Sequence, residues 1–179
     1  MNNDKDNLDG DLIDKGKDSI FTGRTFVMVV VIISLIVMVL RLFVLFPVKV
    51  EGNSMNNTLI SGERYLVNKV ATPEIGDIVV FKTEEGSLFI KRVIGKAGDT
   101  VEIRKDYVYV NEEKLKEDYI KDHRGSLDIG EKLMEDMERV TLKKGTYFVL
   151  GDNRLNSVDS RELGLIKEED ILGVMIKFR

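Results

Sequence analysis

With 179 residues, 43% of them hydrophobic, and a formal net charge of −4, the chain has room for one membrane segment and one further domain, and large multidomain readings are out. It has no cysteine and a single histidine, His123, which excludes disulfides, thiolate or histidine-rich metal centres and a cysteine nucleophile. The acidic balance and the lack of a basic block remove the electrostatic footprint of a nucleic-acid binder, and no motif calls for a metal or a cofactor.

Residues 1–21 are polar and aspartate-rich with no apolar period, and they read as a flexible tail. From Phe26 to Phe46 the chain runs F-V-M-V-V-V-I-I-S-L-I-V-M-V-L-R-L-F-V-L-F, apolar except for Ser34 and Arg41. A helix of about 20 residues crosses the ~30 Å hydrocarbon layer, so residues 22–46 are expected to form a transmembrane helix. A removable signal peptide is the alternative, but the run exceeds the roughly 7–15 apolar residues of such a segment and no small-residue cleavage site follows it. Arg41 lies near the distal end, where its head group can extend to the interface. Lys15, Lys17 and Arg24 precede the helix while Arg41, Lys49 and Arg64 follow its apolar centre, so the basic residues do not decide orientation.

After Pro47 the pattern changes to short β-branched and aromatic runs: R-Y-L-V-N-K-V, D-I-V-V-F-K, L-F-I-K-R-V-I-G, T-V-E-I-R, Y-V-Y-V, T-Y-F-V-L and I-L-G-V-M-I-K-F. Glycine and aspartate at Gly76-Asp77, Gly98-Asp99 and Lys105-Asp106 punctuate them as turns. Residues 47–179 are therefore expected to be a mainly β, antiparallel sheet or barrel-like domain. Between Asn111 and Lys144 the β pattern fades, and Ile129, Leu133 and Met137 fall at helical intervals, which predicts a short helix or flexible excursion. His123, in K-D-H-R-G, reads as a solvated loop residue.

Four segments draw attention to chemistry. In E-G-N-S-M-N-N-T-L, Ser54 follows Gly52 and Asn53 in a turn suited to exposing a hydroxyl, although a serine in such a setting is commonly just a turn residue. In L-F-I-K-R-V-I-G-K-A-G-D, Phe89, Lys91 and Val93 share one strand face and Ile90, Arg92 and Ile94 the other, so one of two adjacent cations must project among apolar side chains. Desolvation lowers a lysine pKa from its usual ~10.4 and yields a neutral amine able to take a proton from serine; the alternative is an edge-strand lysine reaching water. The polar run G-D-N-R-L-N-S-V-D-S-R, residues 151–161, follows a strand and reads either as a solvated loop or as the scaffold that holds the lysine amine. P-E-I-G-D-I-V-V-F, residues 73–81, reads as a structural turn into a strand.

Taken together and in this order behind an apolar helix, G-N-S-M-N-N-T-L, G-D-I-V-V-F, K-R-V-I-G-K-A-G-D and G-D-N-R-L-N-S-V-D-S-R resemble the boxes of the bacterial type I signal peptidases, over Thr22 to Arg179. The resemblance implies a membrane-anchored serine endopeptidase of the cell membrane, single-pass, with its catalytic domain on the extracytoplasmic side. It implies Ser54 as nucleophile, Lys91 as general base, Ser157 orienting the amine through a hydrogen bond, Asp159 and Arg161 as a supporting ion pair, and Gly151 and Asp152 shaping the loop. The Ser54 backbone N–H would serve the oxyanion hole. Gly52 stands where some members carry a further serine, as in the shorter enzymes of the family. Val48, Val50 and Ile90 match positions lining shallow apolar subsites, and Met55 borders the substrate groove. The implied partners are the lipid bilayer and secretory preproteins, cut after small residues one and three positions before the scissile bond. An extended peptide beside a strand edge shows alternate side chains to one surface, which accounts for a one-and-three rule. Two departures are present: Asn56-Asn57 where the family usually has proline, and V-N-E-E at Val110–Glu113 where V-N-G is common. Two other classes remain in view, a self-cleaving repressor-type protease with a Ser/Lys pair, against which the apolar helix and acidic N-terminus argue, and a membrane-tethered β module that only binds partners.

Overall fold

The computed structural model describes residues 6–56, 58–120 and 132–176, and the chain divides into two units, one ending at Phe43 and the other beginning at Val44. Helix α1 spans Asp6–Val44, all but its last residue in the first unit. Its Gly23–Arg41 stretch is long and apolar enough to cross a membrane, and its apolar side chains from Phe26 to Leu40 are exposed. A helix apolar on every side needs an apolar surrounding. The aspartate-rich segment from Asp6 onward, read from sequence as a tail, belongs to the same helix; no proline precedes Pro47, so the backbone ladder runs on unbroken. The helix stops at Val44, shortly before Pro47.

The second unit is built on two antiparallel sheets. Seven strands, β1 (Leu45–Lys49), β2 (Arg64–Asn68), β3 (Ile78–Lys82), β4 (Leu88–Gly95), β9 (Thr146–Leu150), β10 (Ile166–Lys167) and β11 (Ile171–Met175), form the larger sheet in the order β1-β2-β11-β3-β4-β9-β10. The smaller sheet has the order β7-β6-β5-β8, from β5 (Thr100–Arg104), β6 (Tyr107–Val110), β7 (Glu113–Lys114) and β8 (Met137–Thr141). Residues of β3 point alternately to two cores. Ile78 and Val80 join Val48, Val50, Met55, Leu59 and Met175, while Val79 and Phe81 pack with Val93, Val149 and Val174 on the opposite face. A third core joins the sheets, with Ile94, Phe148 and Leu150 from the larger meeting Val101, Ile103 and Val108 from the smaller. Strand β4 therefore has no water-facing side from Lys91 to Gly95, all of which are buried.

The mainly β, antiparallel expectation holds, and the differences lie at strand edges. Strand β1 takes up Leu45 and Phe46, which the sequence assigned to the transmembrane run; it tolerates Pro47 because it is an edge strand paired only with β2. Met137, assigned to a helical period, instead opens β8, which pairs Met137 with Ile103 and Val140 with Val101; the free edge of β5 satisfies more backbone groups than a lone helical turn. Leu133 and Met134 are buried in the core that joins the sheets without being helical, whereas Ile129 and His123 lie outside the described residues. The β5–β6 and β6–β7 turns carry positive φ at Lys105-Asp106 and Asn111-Glu112, two-residue reversals made without glycine.

Gly173 sits at a bulge of β11 with φ 155°, and a Cβ there would lie 2.4 Å from the Asn68 carbonyl oxygen. Gly173→Ala is expected to cost about 2–4 kcal/mol of stability, because the clash is with backbone and cannot be relieved by a rotamer change. A denaturant titration of the detergent-solubilised chain measures this; an unchanged midpoint would show that the bulge tolerates a side chain.

Candidate active site

The segment after β1 is fixed at both ends. Val50 N–H donates to the Glu63 carbonyl (2.9 Å), and Met55 and Leu59 are buried in the core beneath. Between these anchors Gly52 adopts φ +83°, a conformation that favours glycine, and Ser54 stands half-buried at the turn. Lys91 projects from β4, and its Nζ donates to Ser54 Oγ at 2.7 Å. The residue is only 4% exposed and its Nζ lies 5.2 Å from the centroid of the Phe89 ring. Burial lowers its pKa from 10.5 to about 8, against the attraction of Asp159, while Arg161 lowers it further and Asp152 raises it.

The sequence required one of two adjacent cations to enter the core; the structure buries both, since Arg92 is also 4% exposed. They are handled differently. The Arg92 guanidinium is held by Asp152 through Nε (2.8 Å) and Nη2 (2.6 Å), and Nη1 donates to the Gly76 carbonyl (2.7 Å). Thr58 Oγ1 donates to Asp152 and accepts from Arg92 (3.3 Å). Lys91 makes no ion pair among the described residues and meets a hydroxyl instead.

The polar run 151–161 is no solvated loop, since Gly151, Asp152, Arg154, Asp159 and Ser160 are all buried. Arg161 grips Asp159 through Nε (2.8 Å) and Nη2 (2.9 Å), so the expected ion pair is formed. Asp159 also accepts from Gly151 N–H (2.9 Å) and caps α2 (Ser160–Leu163). Asn153 N–H donates to the Ser54 carbonyl at 2.9 Å, which ties this run to the serine turn. Gly151 is glycine for lack of room: a Cβ there would lie 2.1 Å from Ser157 Oγ and 2.7 Å from the Ser54 carbonyl oxygen. Ser157 departs from expectation. Its hydroxyl is buried with no hydrogen-bond partner among the described residues, so the bond to the Lys91 amine is not made in this geometry.

A cleft of about 610 Å³ opens over the pair. Val48, Val50, Gly52, Met55 and Ile90 all line it, together with Ser54, Lys91 and Ser157. Gly151, Asp152, Asp159 and Arg161 are not part of its lining and support it from outside. Among the described residues no group of three or more His, Asp or Glu is placed to hold a metal ion. Sequence reasoning missed Thr58, Arg154 and Glu117, of which Arg154 and Glu117 form a buried ion pair. Neither the lysine segment nor the loop segment signals the pair, since Glu117 stands 37 positions from Arg154 in the sequence.

The family model described as "Signal peptidase, peptidase S26" matches residues 23–178. The chain belongs to this family. It is 43% identical over 151 residues to signal peptidase I T of Bacillus subtilis (strain 168), covering 80% of this chain and 78% of that protein. Signal peptidase IB of Staphylococcus aureus (strain Mu50 / ATCC 700699) is 40% identical over 150 residues, 76% of this chain and 78% of its own length. A crystal structure of a signal peptidase I from Enterococcus faecalis V583 superposes with a TM-score of 0.55 at 35% identity, covering 60% of this chain and 99% of the other. The resemblance read from the four sequence segments is thereby confirmed at the level of the family and the fold.

A pKa that is lower in the folded chain than in the unfolded one makes the folded state bind fewer protons between the two values, so stability rises with pH across that window. For Lys91 the window runs from about 8 to 10.5, and below it the buried amine carries its full cost of charging. Lys91→Met, of similar shape but uncharged, is expected to stabilise the chain near pH 7 by up to about 3 kcal/mol, with the gain vanishing toward pH 10.5. Unfolding measured at several pH values checks this; a destabilised Met variant at pH 7 would contradict a desolvated amine.

Proposed function

We propose that the chain is a membrane-anchored serine endopeptidase that removes signal peptides from secretory preproteins, with Ser54 as nucleophile and Lys91 as general base. The observation that carries the reading is the 2.7 Å contact between Lys91 Nζ and Ser54 Oγ, made by an amine that burial has brought to a pKa of about 8. A neutral Lys91 accepts the Ser54 hydroxyl proton as Oγ attacks the scissile carbonyl, and the oxyanion so formed is received by the Ser54 backbone N–H. As the intermediate collapses, the protonated lysine gives its proton to the departing amine of the mature chain. Lys91 then takes a proton from water, whose oxygen attacks the acyl-enzyme ester, and returns that proton to Ser54 Oγ as the ester bond breaks and the signal peptide leaves with its new carboxyl group. Asp159 and Arg161 hold the loop beside the amine, and a rotation of the unpartnered Ser157 hydroxyl is the route by which it would orient that amine.

The cleft supports the substrate assignment. Val48, Val50 and Ile90 give it small apolar walls, Met55 and Gly52 border it, and an extended chain laid along it would present every second side chain to them. The apolar stretch Gly23–Arg41 supports a single-pass anchor in the cell membrane, with residues 47–179 forming the catalytic domain on the extracytoplasmic side, where preproteins emerge.

Ser54→Ala, Lys91→Ala and Lys91→Arg are each expected to abolish cleavage of a model preprotein in detergent while leaving the fold intact, the last because guanidinium does not give up its proton. Ser157→Ala should lose less. Substantial turnover in any of the first three would remove the mechanism. Because the base must be unprotonated, kcat/KM should be low at acid pH and rise through about 8, the pKa of Lys91. A limb centred near 10 would mean that the amine is solvated.

A further inference from the structure

After β7 the chain makes a turn in which Ile120 N–H donates to the Glu117 carbonyl (3.1 Å), and this turn meets the polar run at Arg154. Glu117, whose side chain is 8% exposed, pairs with the fully buried guanidinium of Arg154. Arg154 in turn donates through Nε to the Gly151 carbonyl (3.0 Å) and receives the Arg161 Nη1 bond at its own carbonyl (3.0 Å). Two residues on, the Tyr119 ring lies 4.0 Å from Arg92 Cζ, a cation–π contact, while its hydroxyl donates to Glu117 Oε1 (2.8 Å). One short turn thus touches both arginines that grip residues 151 and 152, and the next residue, Asn153, holds the Ser54 carbonyl.

We propose that Glu117 and Tyr119 are positioning residues for the Ser54–Lys91 pair, locking Arg92 and Arg154 so that the 151–154 backbone keeps Ser54 within reach of the amine. The inference rests on the catalytic reading of that pair. Glu117 is the carboxylate that meets the Arg154 guanidinium, and a buried arginine deprived of its acid pulls toward solvent. Arg154 would carry Gly151 with it, and Asn153 would loosen its hold on Ser54. The Tyr119 ring closes the open face of Arg92, and its hydroxyl fixes Glu117, so the two act as one brace. Neither lines the cleft over the pair, so the brace acts on geometry and not on substrate binding.

The test compares Glu117→Gln, Tyr119→Phe and Tyr119→Ala in the full chain in detergent, with a model preprotein, reading kcat per folded molecule, KM and the unfolding midpoint. Glu117→Gln and Tyr119→Ala are expected to lower kcat by about tenfold to a hundredfold with KM changed by less than about twofold, since a small displacement of a nucleophile is enough for such a loss. Tyr119→Phe keeps the ring over Arg92 and should recover part of the loss. A purely structural role would lower the unfolding midpoint and leave kcat per folded molecule unchanged, and that result in both variants overturns the proposal. Glu117→Gln, nearly isosteric, decides the matter if Tyr119→Ala does not fold. Ser54→Ala and Lys91→Ala in the same assay separate the two claims: cleavage by these controls sinks the catalytic reading, whereas inactive controls beside a fully active Glu117→Gln and Tyr119→Ala sink the brace alone.

Discussion

The structure turns on keeping one primary amine out of water without giving it a carboxylate. Lys91 is buried on a strand with cores on both sides, and its contact is a serine hydroxyl at 2.7 Å. An acid bonded to it would hold the proton on the amine; an apolar pocket alone would leave it nothing to act on. The arrangement lies between the two. Asp159 pulls the proton on, yet Arg161 occupies both oxygens of that carboxylate and opposes it.

Much of the rest of the fold serves this placement. Strand β4 lies between β3 and β9 in the seven-stranded sheet with cores packed on both of its faces, and the adjacent cation, Arg92, is neutralised by Asp152 from the loop that follows β9. That loop is an ionic scaffold in which arginines and acids alternate, and it packs so closely on the serine turn that Gly151 has no space for a methyl group. A buried ion pair is seldom a net source of stability, but removing one partner is costly, so such a network fixes geometry more than it adds free energy. Fixed geometry is what a serine–lysine pair requires.

Strands rich in β-branched residues were legible in the sequence because alternation and turn residues are local signals; the run Leu88–Gly95 became β4 without adjustment. The site was legible because its residues lie in short segments with unusual chemistry: a lysine inside an apolar strand and a loop dense in Asp, Asn and Arg. Strand β1 was hidden by continuity with the apolar helix, and β8 by a helical spacing that pairing with β5 overrode. Burial of Arg92 was also hidden, since its partner stands 60 positions away. The Glu117–Arg154 pair, 37 positions apart, had no local signature.

The most direct test is titration of the Lys91 amine itself, followed by NMR on the full chain carrying isotope-labelled lysine, with its resonance identified by its absence from a Lys91 variant. The geometry predicts a midpoint near 8, apart from the solvated lysines. A Lys91 signal that titrates together with them, at about 10.4, would contradict the account, because the neutral fraction of such an amine near neutral pH is too small to serve Ser54 as a base, whereas a midpoint near 8 leaves a usable one.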